Sequence, residues 1–391
     1  MDLTYSEEDQ AFRAEVRGWL EEHLTGEWAA LRGLGGAGRD HEAHEERVAW
    51  NRLLAEHGWT CLGWPTEHGG RGLSLSQQVI FHEEYARADA PGRVNHLGEE
   101  LLGPTLIAFG TEEQQARFLP KIVAVEELWA QGYSEPNAGS DLANVQTKAR
   151  RDGDEWVIDG QKVWTSNAHL SQWAFVVCRT EPGSSRHHGL SFLLVPLDQE
   201  GVEIRPIEQL TGGSEFNEVF FTGARTAADL VVGEPGDGWR VAMALLGFER
   251  GVSVLGQVVG FARELDGVVE LAKQNGTIED PVLRDRLAAL TVELEVMRFQ
   301  ALRGLATESA AGPSVFKLVW ASWHKRLGEV AMDVLGPAGL TTESAEGYDL
   351  SRWQRLFLFS RSDTIYGGSD EVQRNILAER VLGLPREPKG A

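Results

Sequence analysis

The sequence predicts an α+β fold: an N-terminal helical domain, a middle antiparallel β-domain and a C-terminal helical bundle. Three observations predict it. Hydrophobic spacing is helical to about residue 125, becomes a series of short turn-bounded apolar runs to about residue 235, and returns to long helical stretches beyond that. The length, 391 residues, suits two or three domains at ~150 residues each. The hydrophobic share of 42% is enough to bury a sizeable core. The expected divisions are 1–125, 126–235 and 236–391.

In the first zone Ser6 can cap a helix with Asp9 three positions on, and Phe12, Val16, Trp19 and Leu20 follow at helical spacing. Further helical stretches run over Glu42–His57, Leu75–Ala88 and Thr111–Lys121, separated by the glycine-rich segments Gly33–Gly38 and Gly69–Gly72. In the second zone Glu155–Ile158 and Lys162–Thr165 flank Asp159-Gly160, which predicts a two-residue hairpin. Ala174–Arg179, Leu190–Pro196, Val202–Ile207 and Glu218–Phe221 also read as strands. In the third zone Trp239–Lys273 is nearly continuous in helical pattern. Asp280-Pro281 is an N-cap and first-turn pair opening a helix to about Ala310, Gly312-Pro313 leads into Ser314–Leu335, and Ser351–Ser362 and Ser369–Leu382 close the chain. Long consecutive helices suggest a bundle.

Charge and cysteine content exclude several classes. A formal net charge of −22 argues against nucleic-acid and anionic-membrane binding, which need basic surface. An anionic ligand would have to be held by backbone N–H groups, helix N-termini and a few cations. Two cysteines, Cys61 and Cys178, form no disulfide framework and no four-thiolate metal site, and no metal is expected. Cys178 closes the apolar run Trp173–Cys178 and reads as buried packing. The acidic start lacks a signal-peptide pattern, and no apolar run approaches the ~20 residues of a membrane span. A cytoplasmic protein is expected.

Four segments could carry chemistry. Ser134-Glu135-Pro136-Asn137-Ala138-Gly139-Ser140-Asp141 is rich in small and hydroxyl residues, so its backbone can approach a flat ring or a phosphate; read alone it is an ordinary turn. Lys162-Val163-Trp164-Thr165-Ser166-Asn167 puts a Trp beside hydroxyls, for stacking on a ligand or for core packing. Tyr366-Gly367-Gly368-Ser369 precedes a helix and exposes its N–H groups, as an anion site or as a simple cap. No strand precedes it and it is no G-x-G-x-x-G fingerprint, which argues against a Rossmann site. Glu249-Arg250 interrupts a helical run containing Met243, Leu246, Val254 and Val258. A carboxylate held among apolar groups has a raised pKa, which suits a general base near neutral pH; the other reading is a solvated Glu on the polar face or a pair with Arg250, as for most helix glutamates.

Together and in this order, the four segments resemble the acyl-CoA dehydrogenase family. The likeness spans nearly the whole chain and takes in Gly98–Ile107 and Gly110-Thr111-Glu112-Glu113-Gln114. Each motif is weak alone and jointly they are specific. The resemblance implies bound FAD and desaturation of an acyl-CoA to the trans-2-enoyl-CoA. On it, Ser134 contacts the pyrimidine end of the flavin, Trp164 lies against the isoalloxazine and Ser166 is near N5. Ser140 lies beside the CoA chain, and Gly367, Gly368 and Ser369 reach the thioester and the cofactor phosphates. Members commonly carry the base in Tyr-Glu-Gly-Thr, which here reads Tyr366-Gly367-Gly368-Ser369. Long-chain and isovaleryl-type members place it on the first bundle helix, before an Arg, as Glu249-Arg250 does here. Glycine at 367 leaves room for a branched or bulky acyl group. The Gly367 N–H and, by resemblance, a ribityl hydroxyl would bond the thioester oxygen.

Two departures stand out. The family Arg that reaches FAD in a neighbouring subunit is missing from Ala272-Lys273-Gln274-Asn275-Gly276, and the Gln-rich turn reads Asp333-Val334-Leu335-Gly336-Pro337-Ala338-Gly339. Similar drift occurs in actinobacterial members acting on sterol side chains, some of them mixed-subunit tetramers. The expected partners are the acyl-CoA, an electron-transfer flavoprotein, and further subunits in a homo- or hetero-oligomer, dimer or tetramer. A catalytically silent partner subunit and an oxidase or monooxygenase on the same fold are the alternatives.

Overall fold

The computed structural model describes residues 5–36, 38–248, 253–306, 311–342 and 348–386. They form two compact units. The first comprises residues 1–80, 88–209 and 213–251; the second comprises 81–87, 210–212 and 252–391.

The first unit contains N-terminal helices and a sheet. Helix α1 (Glu7–His23) opens on the expected capping box, with Ser6 accepting from the Asp9 N–H and Asp9 from the Ser6 N–H. Helices α2 (His44–Glu56) and α3 (Leu75–Arg87) follow, the unit division falling within α3. A π-helical segment, Leu97–Leu102, runs into α4 (Gly103–Phe109), and α5 (Glu112–Val123) has a second capping box at Thr111 and Gln114.

The strands are β1 (Trp129–Gly132), β2 (Lys148–Asp152), β3 (Glu155–Ser166), β4 (Trp173–Arg179), β5 (Leu190–Pro196), β6 (Val202–Ile207) and β7 (Phe216–Ala227). They form one sheet in the order β1-β4-β2-β3-β7-β6, with β5 also paired to β4. The expected antiparallel pairing holds for β2/β3, β3/β7, β4/β5 and β6/β7. By contrast β1/β4 and β2/β4 are parallel, so the sheet is mixed. Strands β4 and β5 are buried on both faces, and their period-2 alternation divides them between two cores. Phe175, Val177, Phe192 and Leu194 join Leu102, Leu106, Phe118 and Leu245 in one. Val176, Cys178, Leu193 and Val195 join Trp156, Ile158 and Phe221 in the other. Helix α6 (Gly238–Phe248) covers the first core through Val241, Ala242 and Leu245.

One expectation fails: Asp159-Gly160 is no hairpin. Strand β3 runs through it with a bulge between Ile158 and Asp159, and the β2–β3 turn is at Gly153 (φ +62°). Glycine is needed at 160 for another reason. Its φ is +154°, and a Cβ there would lie 2.5 Å from Thr147 Oγ1 and 2.7 Å from the Thr147 Cα. Asp159 instead bonds the Gly223 N–H at 2.8 Å.

The second unit is helical: α7 (Ser253–Gln274), α8 (Pro281–Ala306), α9 (Gly312–Leu335), α10 (Arg352–Phe359) and α11 (Asp370–Ile376), the last continuing as a π-helical turn, Leu377–Val381. Asp280 caps α8 through the Val282 N–H at 2.8 Å. The packed interior holds Phe261, Leu265, Leu290, Met297, Trp323, Leu327 and Val334, and Trp323 Nε1 donates to the Leu290 carbonyl at 3.0 Å. Val292, Val296 and Phe299, spaced along α8, are 64%, 58% and 50% exposed. Among the described residues no helix is long and apolar enough to cross a membrane.

Candidate active site

In the first unit, Ser134, Trp164 and Ser166 come together at the end of β3. The Val163 N–H donates to the Ser134 carbonyl at 2.9 Å, which ties the serine loop to the residue before the Trp. The β3/β7 register shifts between Lys162 and Thr165, and Trp164 at this bulge has φ +59°. A bulky residue in the left-handed region is strained, and such strain concentrates at ligand sites. The bulge turns the indole outward: Trp164 is 56% exposed, in edge contact with Phe216 at 6.2 Å. The Ser134 and Ser166 side chains are half-buried, and among the described residues the buried Thr165 Oγ1 has no hydrogen-bond partner. An exposed aromatic face with hydroxyls beside it and one orphaned buried hydroxyl fits a flat ring with polar edges. Ser140 is exposed in the same loop, beyond the Glu135–Ala138 bridge.

Beneath this loop lies a pair that sequence reading missed. Lys162, fully buried, donates to Glu135 Oε1 at 2.8 Å and to the Tyr133 carbonyl at 3.0 Å. Glu135 also accepts the Gln146 and Thr147 N–H groups at 2.5 and 2.9 Å. Burial pushes the Glu135 carboxyl up, but the charge and hydrogen bond of Lys162 outweigh it and hold it below the usual range. Burial also pulls the Lys162 ammonium down, against the opposing pull of Glu135.

On the other side of the bulge, Glu215 accepts the Asn167 N–H through its carbonyl at 2.7 Å, while its buried carboxylate accepts the Gly38 and Asp40 N–H groups at 2.9 and 3.4 Å. Burial first, then the Asp40 charge, raises Glu215 to about 7 despite those bonds. Asn167 Nδ2 donates to Asp40 Oδ2 at 3.0 Å, and Asn217 Nδ2 to the Thr165 carbonyl at 3.0 Å. Residues 165–167 are thereby fixed from both ends. No local sequence signal marks Glu215 or Asn217, because the partners that give them their place, Gly38, Asp40, Thr165 and Asn167, lie tens to more than a hundred residues away.

The second unit carries the turn Tyr366–Ser369. Gly367 and Gly368 have φ +62° and +83°, a conformation that favours glycine at both positions. Gln373 Nε2 holds their carbonyls at 3.1 and 3.4 Å. Among the described residues the Gly367 N–H donates to no partner. Ser369 caps α11 as expected, accepting the Val372 N–H at 3.4 Å. Two acids flank the turn. Asp363 is bonded to His324 and to the Tyr366 hydroxyl, and Asp370 pairs with Arg374 at 3.5 Å. Glu249 and Arg250 lie outside the described residues. Where the resemblance leads one to expect an Arg, Asn275 instead donates to the Val334 carbonyl at 2.7 Å and closes the end of α7 onto α9.

Comparison with known proteins covers nearly all of the chain. The acyl-CoA dehydrogenase N-terminal, middle and C-terminal domain models match residues 6–126, 130–224 and 236–382. Acyl-CoA dehydrogenase IpdE1 of Mycobacterium tuberculosis is 66% identical over 384 residues, 97% of this chain and 99% of that protein. A solved steroid ACAD, Tcur3481-Tcur3483, is 32% identical with a TM-score of 0.85, covering 99% of this chain and 100% of that one. The ChsE4-ChsE5 complex of Mycobacterium tuberculosis is 30% identical with a TM-score of 0.83, covering 99% and 100%.

Proposed function

The chain belongs to the acyl-CoA dehydrogenase family, and from that premise we propose that it desaturates a bulky acyl-CoA with Glu249 as the base that takes the α-proton. The observation that carries this is the turn at Gly367. The more common base position holds a glycine; of the acids on either side of it, Asp363 is engaged by His324 and Tyr366, while Asp370 pairs with Arg374 at 3.5 Å through Oδ2 and its buried Oδ1 has no partner among the described residues. The resemblance to long-chain and isovaleryl-type members gives Glu249, before Arg250, the alternative family position for the base.

FAD is the cofactor this reading calls for. Ser134, Trp164 and Ser166 would hold its ring, Gly368 and Ser369 its phosphates. When bound, it supplies the acceptor for the hydride that leaves the substrate β-carbon. The chain does the rest. Ser140 and Arg250 steady the CoA and acyl portions. The Gly367 N–H donates to the thioester oxygen as negative charge grows there, which makes the α-proton removable. Glu249 accepts that proton, and Cα–Cβ becomes a double bond. Exclusion of water strengthens the oxygen's hydrogen bond and raises the basicity of Glu249.

A steroid-type acyl group is proposed because Gly367 presents no side chain and because the Tcur3481-Tcur3483 neighbour is a steroid ACAD. The division at 125/126 and 235/236, an electron-transfer flavoprotein as acceptor and a cytoplasmic setting belong to the same proposal. So does an oligomer, supported by the exposed apolar stripe on α8.

The test is Glu249→Gln. FAD is expected to remain bound while anaerobic bleaching of the flavin by acyl-CoA falls by orders of magnitude; unchanged bleaching would remove Glu249 from its role. Titration of flavin absorbance against a panel of acyl-CoAs would identify the acyl class. A second reading, a non-catalytic subunit of a heteromeric enzyme, draws on the absent Arg in residues 272–276 and on the paired names of the two solved neighbours. A purified chain that stays colourless with added FAD would favour it.

A further inference from the structure

Behind the Gly367 turn the second unit buries an ionic array that the mechanism above does not use. His324 on α9 is 7% exposed. Its Nδ1 lies 2.6 Å from Asp363 Oδ2 and its Nε2 2.9 Å from Glu264 Oε2 on α7. A neutral imidazole can donate from one nitrogen; two carboxylate acceptors call for the doubly protonated ring. Burial alone would lower its pKa, but the hydrogen bonds to Asp363 and Glu264, with their charges, raise it to about 10. Asp363, 1% exposed, passes the constraint on. Its Oδ1 accepts the Tyr366 hydroxyl at 2.9 Å and its carbonyl accepts Lys317 Nζ at 2.6 Å. Lys317 also lies over the Tyr366 ring at 4.4 Å, and Phe261 stacks on the imidazole at 4.5 Å.

An ionic array of this kind is a poor way to gain stability, since packed apolar side chains of the same volume do as well or better. It is a good way to fix a direction. The turn it reaches needs fixing, because two consecutive glycines have wide conformational freedom when unanchored. Gln373 holds the far side of the turn through the carbonyls of 367 and 368, and the Tyr366 hydroxyl holds the near side.

We propose that His324 is a positioning residue: clamped by Glu264 and Asp363, it fixes Tyr366 and thereby the aim of the Gly367 N–H at the thioester oxygen. The inference rests on the role given to Gly367 above. It makes Glu264, His324, Asp363 and Tyr366 one functional unit.

The test compares Tyr366→Phe, which removes one hydroxyl from a residue 40% exposed, with His324→Gln and the double variant in the full-length holoenzyme. Two readouts are taken: kcat and KM for an acyl-CoA that bleaches the wild-type flavin, and hydrogen–deuterium exchange of the peptide spanning 365–376. Displacing a transition-state donor is expected to lower kcat roughly 10- to 100-fold, with KM within about twofold. The double variant should lose no more than the larger single loss. Exchange at the turn should rise about tenfold or more in each variant. A purely structural His324 would lower the melting temperature of His324→Gln and leave Tyr366→Phe like wild type in kcat and exchange, which would overturn the proposal. If the wild type bleaches with no acyl-CoA, the proposed function fails instead. The exchange rates then decide the clamp alone: accelerated exchange sustains it and unchanged exchange overturns it.

Discussion

Replacing Lys162 by Met should destabilise the first unit far more than loss of one surface charge would. Lys162 has no exposed side-chain area and Glu135 has 6%, so the substitution leaves a carboxylate buried with its main counter-charge gone. Removing one partner of such a pair costs roughly 3–5 kcal/mol. The Gln146 and Thr147 N–H groups remain on the carboxylate, so the lower half of that range is expected, about 3 kcal/mol. For a unit of this size that is a fall in melting temperature of roughly 6 °C. The pH dependence should reverse sign. In the wild type Glu135 sits below its ordinary value of 4.5, so its contribution is present above that pH and is lost as pH falls through the lowered folded value. Without Lys162 burial dominates and the carboxyl takes up a proton on folding, so the cost should grow with rising pH. The double variant Glu135→Gln/Lys162→Met should recover part of the loss, because no charge is then buried. Calorimetry of the four proteins between pH 5 and 8 is the assay. A single-variant cost under ~1 kcal/mol, or additive single effects, would refute the reasoning, since neighbours in one network couple by ~0.5–3 kcal/mol.

Trp164→Gly should separate stability from cofactor affinity. It relieves a left-handed backbone worth ~1–2 kcal/mol while removing a mostly exposed ring, so the apoprotein should melt no lower than wild type while flavin affinity, followed by fluorescence quenching, falls. Glu215→Gln should flatten the stability–pH curve. Glu215 is raised from 4.5 to about 7, so its contribution is full below 4.5 and lost as pH rises through 7. The variant should gain on wild type above pH 7 in thermal melts at pH 5 and 8, and an equal gap at both would contradict this.

What was legible in the sequence was local. Ser6-to-Asp9 and Asp280-Pro281 each announce a helix start within four residues, and the structure has them. Leu190–Pro196 and Val202–Ile207 were bounded by turn residues and have those limits. Asp159-Gly160 misled because a glycine required by a close approach to Thr147 looks, in sequence, like a glycine required by a turn. Strands β1 and β2 went unseen, since one is four residues long and the other mostly charged. The polar groups that brace the candidate site were illegible for a different reason. Lys162 and Glu135 are 27 residues apart, His324 and Asp363 39, and Glu215 and Gly38 177. Nothing in the neighbourhood of a lone Lys, His or Glu says that it will be buried.

The two buried thiols have a practical consequence. Cys178 is pushed up to about 12 and Cys61 is also raised, each chiefly by burial, so both are held as thiols, shielded from reagent, in the folded unit. An alkylating reagent therefore reacts at a useful rate only after the surrounding core has opened. Both cysteines lie in the first unit, and the chain has no others. Pulse alkylation followed by mass spectrometry thus gives a clock for the opening of that unit alone, built into the native sequence and needing no engineered label. With and without a bound flavin, the rate of that clock would measure how much the ligand steadies the β-sheet, separately from anything that happens in the helical bundle.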